Sequence, residues 1–212
     1  MNYFYLFILS QLIILCHAGQ TVYDAAKFAR QIVKDAGMGT MLTLFDKSIS
    51  NELQGYPFGL MEYYAEDCSS ENGNLLLFMS DLQMNSRNAK QNHDQVSFTI
   101  RSLQEYNKPI GNHSTPVQQP RFNLFGSLKV LPESERKQNM ECFGKVHPES
   151  KWWNGFHDFR FYTFQVKSMY YVGGFGGLYY IGWIPLDIYQ QQTNKNDNNN
   201  MDKLESHFIL QD

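Results

Sequence analysis

Cysteine is scarce in this sequence, with three residues in 212, so the chain is not a disulfide-dense scaffold. Charge of either sign is not in excess. Eighteen Lys and Arg stand against 21 Asp and Glu, and the formal charge of -3 gives no general pull on a polyanion or nucleic acid. Beyond the N-terminus no run of about 20 apolar residues offers a membrane span. Chemical signatures are missing as well. No GxGxxG follows a strand pattern, no P-loop occurs, and no GxSxG opens a helix. The six histidines include no HExxH pair and form no spaced ligand set, so no metal site is expected. Cys68, followed by two serines, lacks any paired-nucleophile motif.

What is present begins with residues 1–18, MNYFYLFILSQLIILCHA. The stretch from Tyr3 to Cys16 is apolar except for Ser10 and Gln11, and the small residues Cys16 and Ala18 precede an expected cut after Ala18. This predicts a signal peptide and passage through the secretory route, with secretion or a lumenal destination. Cleavage removes Cys16 and leaves Cys68 and Cys142. An oxidising compartment permits one disulfide between them, and two separate buried thiols satisfy the sequence equally. The one N-x-Ser/Thr acceptor, Asn112-His113-Ser114, sits in a polar stretch suited to a glycan. Residues 191–212 open with a Gln- and Asn-rich linker that cannot pack a core, and they end in a short tail.

The folded domain is therefore expected over residues 19–190. Thr21 and Asp24 match a capping box ahead of Val22, Ala25, Ala26, Ala29, Ile32, Val33 and Ala36 at helical spacing, with Gly37 as the stop. From Thr40 the pattern turns to short apolar runs. Strands are predicted over 40–45, 58–64, 74–79, 96–100, 122–131, 159–166, 170–172 and 178–181. Helices are predicted over 82–90 and 133–143. Many short strands with a few helices point to a barrel-like antiparallel sheet rather than a doubly wound one.

Three segments carry polar or aromatic character beyond what a core needs. Ser80-Asp81-Leu82-Gln83-Met84-Asn85-Ser86-Arg87-Asn88 follows an apolar strand. It can either cap a helix or present donors to an anion. Pro120-Arg121 opens a strand with Gly126 at its middle, and Arg121 can clamp a phosphate or bridge to an acid. The third runs from Trp152 to Tyr162 and continues through Val172-Gly173-Gly174-Phe175-Gly176-Gly177. Its rings suit a flat-ring pocket, a partner face or a core, and its glycines specify a sharp reversal.

In this order the segments resemble the FMN-binding split-barrel superfamily of pyridoxamine phosphate oxidase, and most of all its secreted CREG branch. The residues that carry the resemblance are Ser80, Leu82, Asn88, Pro120, Arg121, Gly126, His147, Pro148, Phe156, Asp158, Phe159 and Val172 through Gly176. The Val-Gly-Gly-Phe-Gly turn also leans towards the haem-utilisation barrels.

The resemblance implies a mainly β fold with flanking helices, a split β-barrel. It implies a cofactor phosphate held by Ser80, Ser86, Asn88 and Arg121. Flavin-binding relatives place a His and a Thr before the Asn of the polar helix start, whereas this chain has Asn85 and Ser86. That departure favours a non-enzymatic binding or regulatory glycoprotein without cofactor. An FMN-dependent oxidoreductase is the alternative. A homodimer through the barrel face is expected, with Trp152, Trp153, Phe159, Phe161 and Tyr162 as its aromatic set. An unidentified protein partner and no stable membrane insertion complete the reading.

Overall fold

The computed structural model describes residues 19–70, 72–102 and 116–192. The signal-peptide cut, Asn112 and the tail from residue 193 lie outside them. Helix α1, Val22–Ala36, starts as its sequence dictates. The Asp24 N–H donates to Thr21 Oγ1 at 3.1 Å, and the Thr21 N–H donates to the Asp24 carboxylate at 2.9 Å. Gly37, at φ +62°, ends it in the left-handed conformation that favours glycine. Small buried residues (Ala25, Ala26, Ala29) let this helix approach the sheet closely.

Seven antiparallel strands follow: β1 Met38–Leu44, β2 Pro57–Glu66, β3 Leu75–Ser80, β4 Val96–Arg101, β5 Arg121–Val130, β6 Phe159–Val172 and β7 Ile181–Ile184. Their order is β3-β2-β1-β4-β5-β6-β7, and β3 also pairs with β6. Six strands thus close into a barrel, the split-barrel class expected, and β7 hangs on β6 as an edge. Helices α2 Met84–Gln91, α3 Arg136–Val146 and α4 Leu186–Gln191 flank it.

The two strands predicted over 159–166 and 170–172 are one strand of 14 residues. The register of β5 on β6 shifts between Phe125 and Gly126, which absorbs the break in alternation near Lys167. Gly126 is required there because a Cβ would run into the Gln165 carbonyl. The last strand lies at 181–184 rather than 178–181. Residues 173–180 instead make the reversal, closed by the Gly173 N–H donating to the Tyr180 carbonyl at 2.9 Å. The short α4 and the 3-10 turns at Pro148–Gly155 carry no strong periodicity and were not anticipated.

Leu75, Leu77, Met79, Phe98, Leu124, Tyr162, Phe164 and Tyr171 fill the barrel together with the small face of α1. A second cluster of Leu76, Phe78, Phe143 and Phe161 packs between the opposite face of β3 and β6 and helix α3. Phe161 and Tyr162 are therefore core residues, which corrects their place in the expected dimer set. A disulfide joins Cys68 to Cys142 of α3, with Cα atoms 6.1 Å apart. Arg30 of α1 pairs with Glu66 and lies 5.4 Å from the Tyr189 ring centroid, tying α4 to α1. Among the described residues no helix is long and apolar enough to cross a membrane.

Candidate functional site

Strand β3 ends where β6 begins, with Ser80 opposite Phe159, and the polar helix start anticipated from sequence sits at this end of the barrel. Ser80 does not cap α2. Its hydroxyl accepts the Leu82 N–H at 3.0 Å and donates to the Asp158 carboxylate. Helix α2 packs on β1 and β2 with an unusually polar buried side: Asn85, Ser86 and Asn88 besides Ala89.

Most of their polar atoms are satisfied from within the chain, but the buried Ser86 hydroxyl and Asn88 Oδ1 find no hydrogen-bond partner among the described residues. The Asn85 amide donates to Glu62 Oε1 at 3.0 Å and accepts from the Thr43 hydroxyl at 3.1 Å. The Gln83 amide donates to Glu62 Oε2 at 3.3 Å, and the Asn88 amide donates to Thr43 Oγ1 at 3.1 Å. The Ser86 hydroxyl is fully buried beside Tyr162, whose own hydroxyl donates to Asp81 Oδ1 at 2.8 Å. Asp81 also receives Lys90 at 3.1 Å and Arg160 at 2.8 Å.

Three carboxylates thus meet at one barrel end in different environments. Burial raises the Glu62 carboxyl above its ordinary value, against the pull of the Asn85 and Gln83 amides. Burial acts on Asp81 too, but Tyr162, Lys90 and Arg160 together hold it below the usual range. Glu62 is therefore harder to ionise in the folded chain than in the unfolded one. The stability it lends is fully present below its unfolded pKa and is lost as pH rises through its folded pKa. A carboxyl-carbon NMR titration is expected to place its midpoint above 4.5, and a midpoint at or below that value would remove the assignment.

Arg121 does not join this cluster. It pairs with Val172, thirteen residues along β6 from Phe159, at the other end of the barrel. Its guanidinium donates to the carbonyls of Val117 at 2.9 Å and Gln119 at 3.3 Å, as a strand-end brace. Ser80, Ser86 and Asn88 lie on the segment at one barrel end, Ser80 and Asn88 with separate partners, and Arg121 lies at the other end. Sequence reasoning passed over Glu62, Thr43 and Tyr162 as site residues. Glu62 carried a readable signal, an acid at a position that the strand alternation turns inward.

Beside the cluster lies a half-open cleft of about 430 Å³ lined by Glu133, Arg136, Asn154, Phe156, His157, Phe159 and Arg160. On the sheet, two rows of side chains alternate with the core positions and carry no charge. Thr40, Thr99, Asn123, Tyr170 and Trp183 are in register across five strands, and Leu42, Ser97, Phe125 and Ser168 form the next row. Trp183 is 58% exposed, and the Phe125 and Tyr170 rings lie 5.7 and 5.2 Å from it. Among the described residues no group of three or more His, Cys, Asp or Glu is placed to hold a metal ion.

Comparison with solved structures finds the same fold in several proteins. A haem-binding protein from Mycobacterium smegmatis matches with TM-score 0.60 and 22% identity, covering 78% of this chain and 60% of that one. ChuZ from Campylobacter jejuni gives 0.54 and 15% identity, over 70% of this chain and 55% of that one. HutZ, a haem storage protein from Vibrio cholerae, gives 0.53 and 15% identity, over 70% and 94%. The chain thus spans under two thirds of the first two, and at these identities the likeness is one of fold. A sequence comparison with curated proteins finds no match. The family described as CREG, beta-barrel matches residues 20–191, nearly the whole described barrel, and the chain belongs to that family.

Proposed function

We propose that this chain is a CREG-type barrel protein of the secretory route, a dimeric binding protein rather than a flavin enzyme. The observation that carries this reading is the closure of the polar helix start on the chain's own acids. A flavin phosphate needs donors free to meet a dianion. Ser80 instead donates to Asp158, and the Gln83 and Asn85 amides donate to Glu62. The Asn88 amide serves Thr43, the Ser86 hydroxyl is fully buried and is the one donor of the set left without a partner among the described residues, and Arg121 sits at the far end. The residues of one chain do not fit an FMN phosphate.

The dimer draws support from the uncharged rows on β1, β4, β5, β6 and β7, where an exposed aromatic trio has no cover among the described residues. Export, cleavage after Ala18, a glycan on Asn112 and a secreted or endolysosomal destination belong to the same reading. They rest on the leader and acceptor motifs.

The second reading is a cofactor protein, FMN-dependent oxidoreductase chemistry being the form that the superfamily resemblance implies. A planar cofactor that lacks a phosphate escapes the objection above. Two of the similar structures are named for haem, which has no phosphate.

The test is protein purified from a eukaryotic secretory host, its absorbance spectrum, and a fluorescence titration with FMN. The binding-protein reading expects no flavin band and no FMN binding up to near-millimolar concentration. Micromolar FMN binding that Arg121→Ala abolishes would overturn it and make Arg121 a phosphate ligand.

A further inference from the structure

Helix α2 meets the barrel through polar groups where an apolar contact is the rule. Of its buried residues Ala89 alone is apolar, and the others are Asn85, Ser86 and Asn88. Gln83 precedes it without a side-chain cap, and a helix of eight residues does not stand on propensity. Its polar grip on β1 and β2 is a directed chain of hydrogen bonds. The Asn88 amide donates to Thr43 Oγ1 at 3.1 Å, and the Thr43 hydroxyl donates to Asn85 Oδ1 at 3.1 Å. The Asn85 amide then donates to Glu62 Oε1 at 3.0 Å, and the Gln83 amide reaches Oε2 at 3.3 Å. Every donor of the chain points towards Glu62, which is 6% exposed.

Among the described residues no cation pairs with that carboxyl. β1 places Gly39 opposite Glu62, α2 offers it the two amides, and residues 75–79 of β3 are an apolar run. The cations of this barrel end are engaged elsewhere. Lys90 of α2 and Arg160 of β6 sit on Asp81, at 3.1 and 2.8 Å, and hold it ionised. Arg87 of α2 is exposed. His93, just after the helix, pairs with Asp94 at 3.1 Å, and Asp94 also holds Lys167 at 2.9 Å. A carboxylate enclosed without a cation carries its charge at a cost that protonation removes. The same interface already contains the unpartnered Ser86 Oγ and Asn88 Oδ1, so it has little in reserve once Glu62 ionises.

We propose that Glu62 is a proton-operated latch for α2. In acid the helix is clamped on β1 and β2, and at neutral pH its first turn opens and frees the polar segment 80–88. Opening returns Glu62 to water, so the closed form binds the proton more tightly, and a fall in pH favours closure. The raised Glu62 carboxyl has the same direction. Both conditions lie along the route proposed above, neutral where the chain is made and acid in an endolysosomal lumen. The latch gives two states to the segment matched with the superfamily's cofactor-binding start, and it holds whether or not that segment meets a ligand.

Hydrogen exchange at the α2 amides of the full protein, expressed as protection over the intrinsic rate at each pH, reads the latch. Wild-type protection of α2 relative to α1 is expected to rise at least about threefold from about pH 7.5 to about pH 5. Glu62→Gln should abolish the response. His93→Gln should keep it, which separates the latch from titration of the neighbouring imidazole. A flat wild type, a response that survives Glu62→Gln, or one lost in His93→Gln overturns the proposal. Where Glu62→Gln does not fold, the midpoint of the wild-type response is set against the carboxyl-carbon midpoint of Glu62. A separation of more than about half a pH unit overturns the latch as well. These outcomes leave the non-flavin reading to the FMN titration.

Discussion

Replacing both Cys68 and Cys142 by alanine is expected to lower the unfolding free energy by about 4 kcal/mol. The disulfide closes a sequence separation of 74 residues, long enough for the loss of chain entropy in the unfolded state to be large. Its position adds to this effect. The bridge pins the segment after β2 to α3, and α3 roofs the second apolar cluster of Phe78, Phe143 and Phe161. For a domain of this size the melting temperature should fall by about 8–16 °C. Guanidinium unfolding of wild type and the double variant measures the difference directly. A loss below about 1 kcal/mol would mean that the clasp constrains little.

Trp183→Glu is expected to turn the proposed dimer into a monomer. Trp183 closes the outer row on β7, between the rings of Phe125 and Tyr170, where neither row contains a charge to receive the new carboxylate. Central aromatic residues of interfaces typically contribute about 2 kcal/mol or more, so the dissociation constant should rise at least about thirtyfold. Burying an unpaired carboxylate adds to the loss. Sedimentation at micromolar concentration should give twice the monomer mass for wild type and for Leu60→Glu, which lies on β2 outside these rows. A Trp183→Glu dimer indistinguishable from wild type, or a monomeric wild type, would sink the interface.

The parts of this fold that are local in sequence could be read from it. Thr21, Asp24 and Gly37 fix the ends of α1 through neighbouring backbone groups. Gly126 signalled the close approach that the β6 bulge opposite it requires. The even pair of cysteines marked the bonded positions without proving that they meet. What escaped depends on contacts between distant segments. Pro120-Arg121 has the look of a phosphate clamp, but only strand register reveals that Arg121 lies at the opposite end from Ser80. Helix α4 is held by Tyr189, whose hydroxyl donates to the Gly73 carbonyl at 3.0 Å across more than a hundred residues. Glu62, on the inward side of β2, finds its amide partners only on a helix after the next strand, so its pairing could not be read locally although its enclosure could.

Closure of the barrel through β3 and β6 sets an order of events for a chain that emerges N-terminus first. Leu77 must wait for Tyr162, eighty-five residues later. At about 5–20 residues per second, that leaves the β3 edge unpaired for about 4–17 s of synthesis. Cys142 emerges before any of β6. In an oxidising lumen the clasp to Cys68 can therefore form while the sheet is still open, holding α3 beside β3 until the final strand arrives. A reducing compartment removes that intermediate tether. There the same sequence carries an exposed apolar edge of Leu75, Leu76, Leu77 and Phe78 through the whole interval.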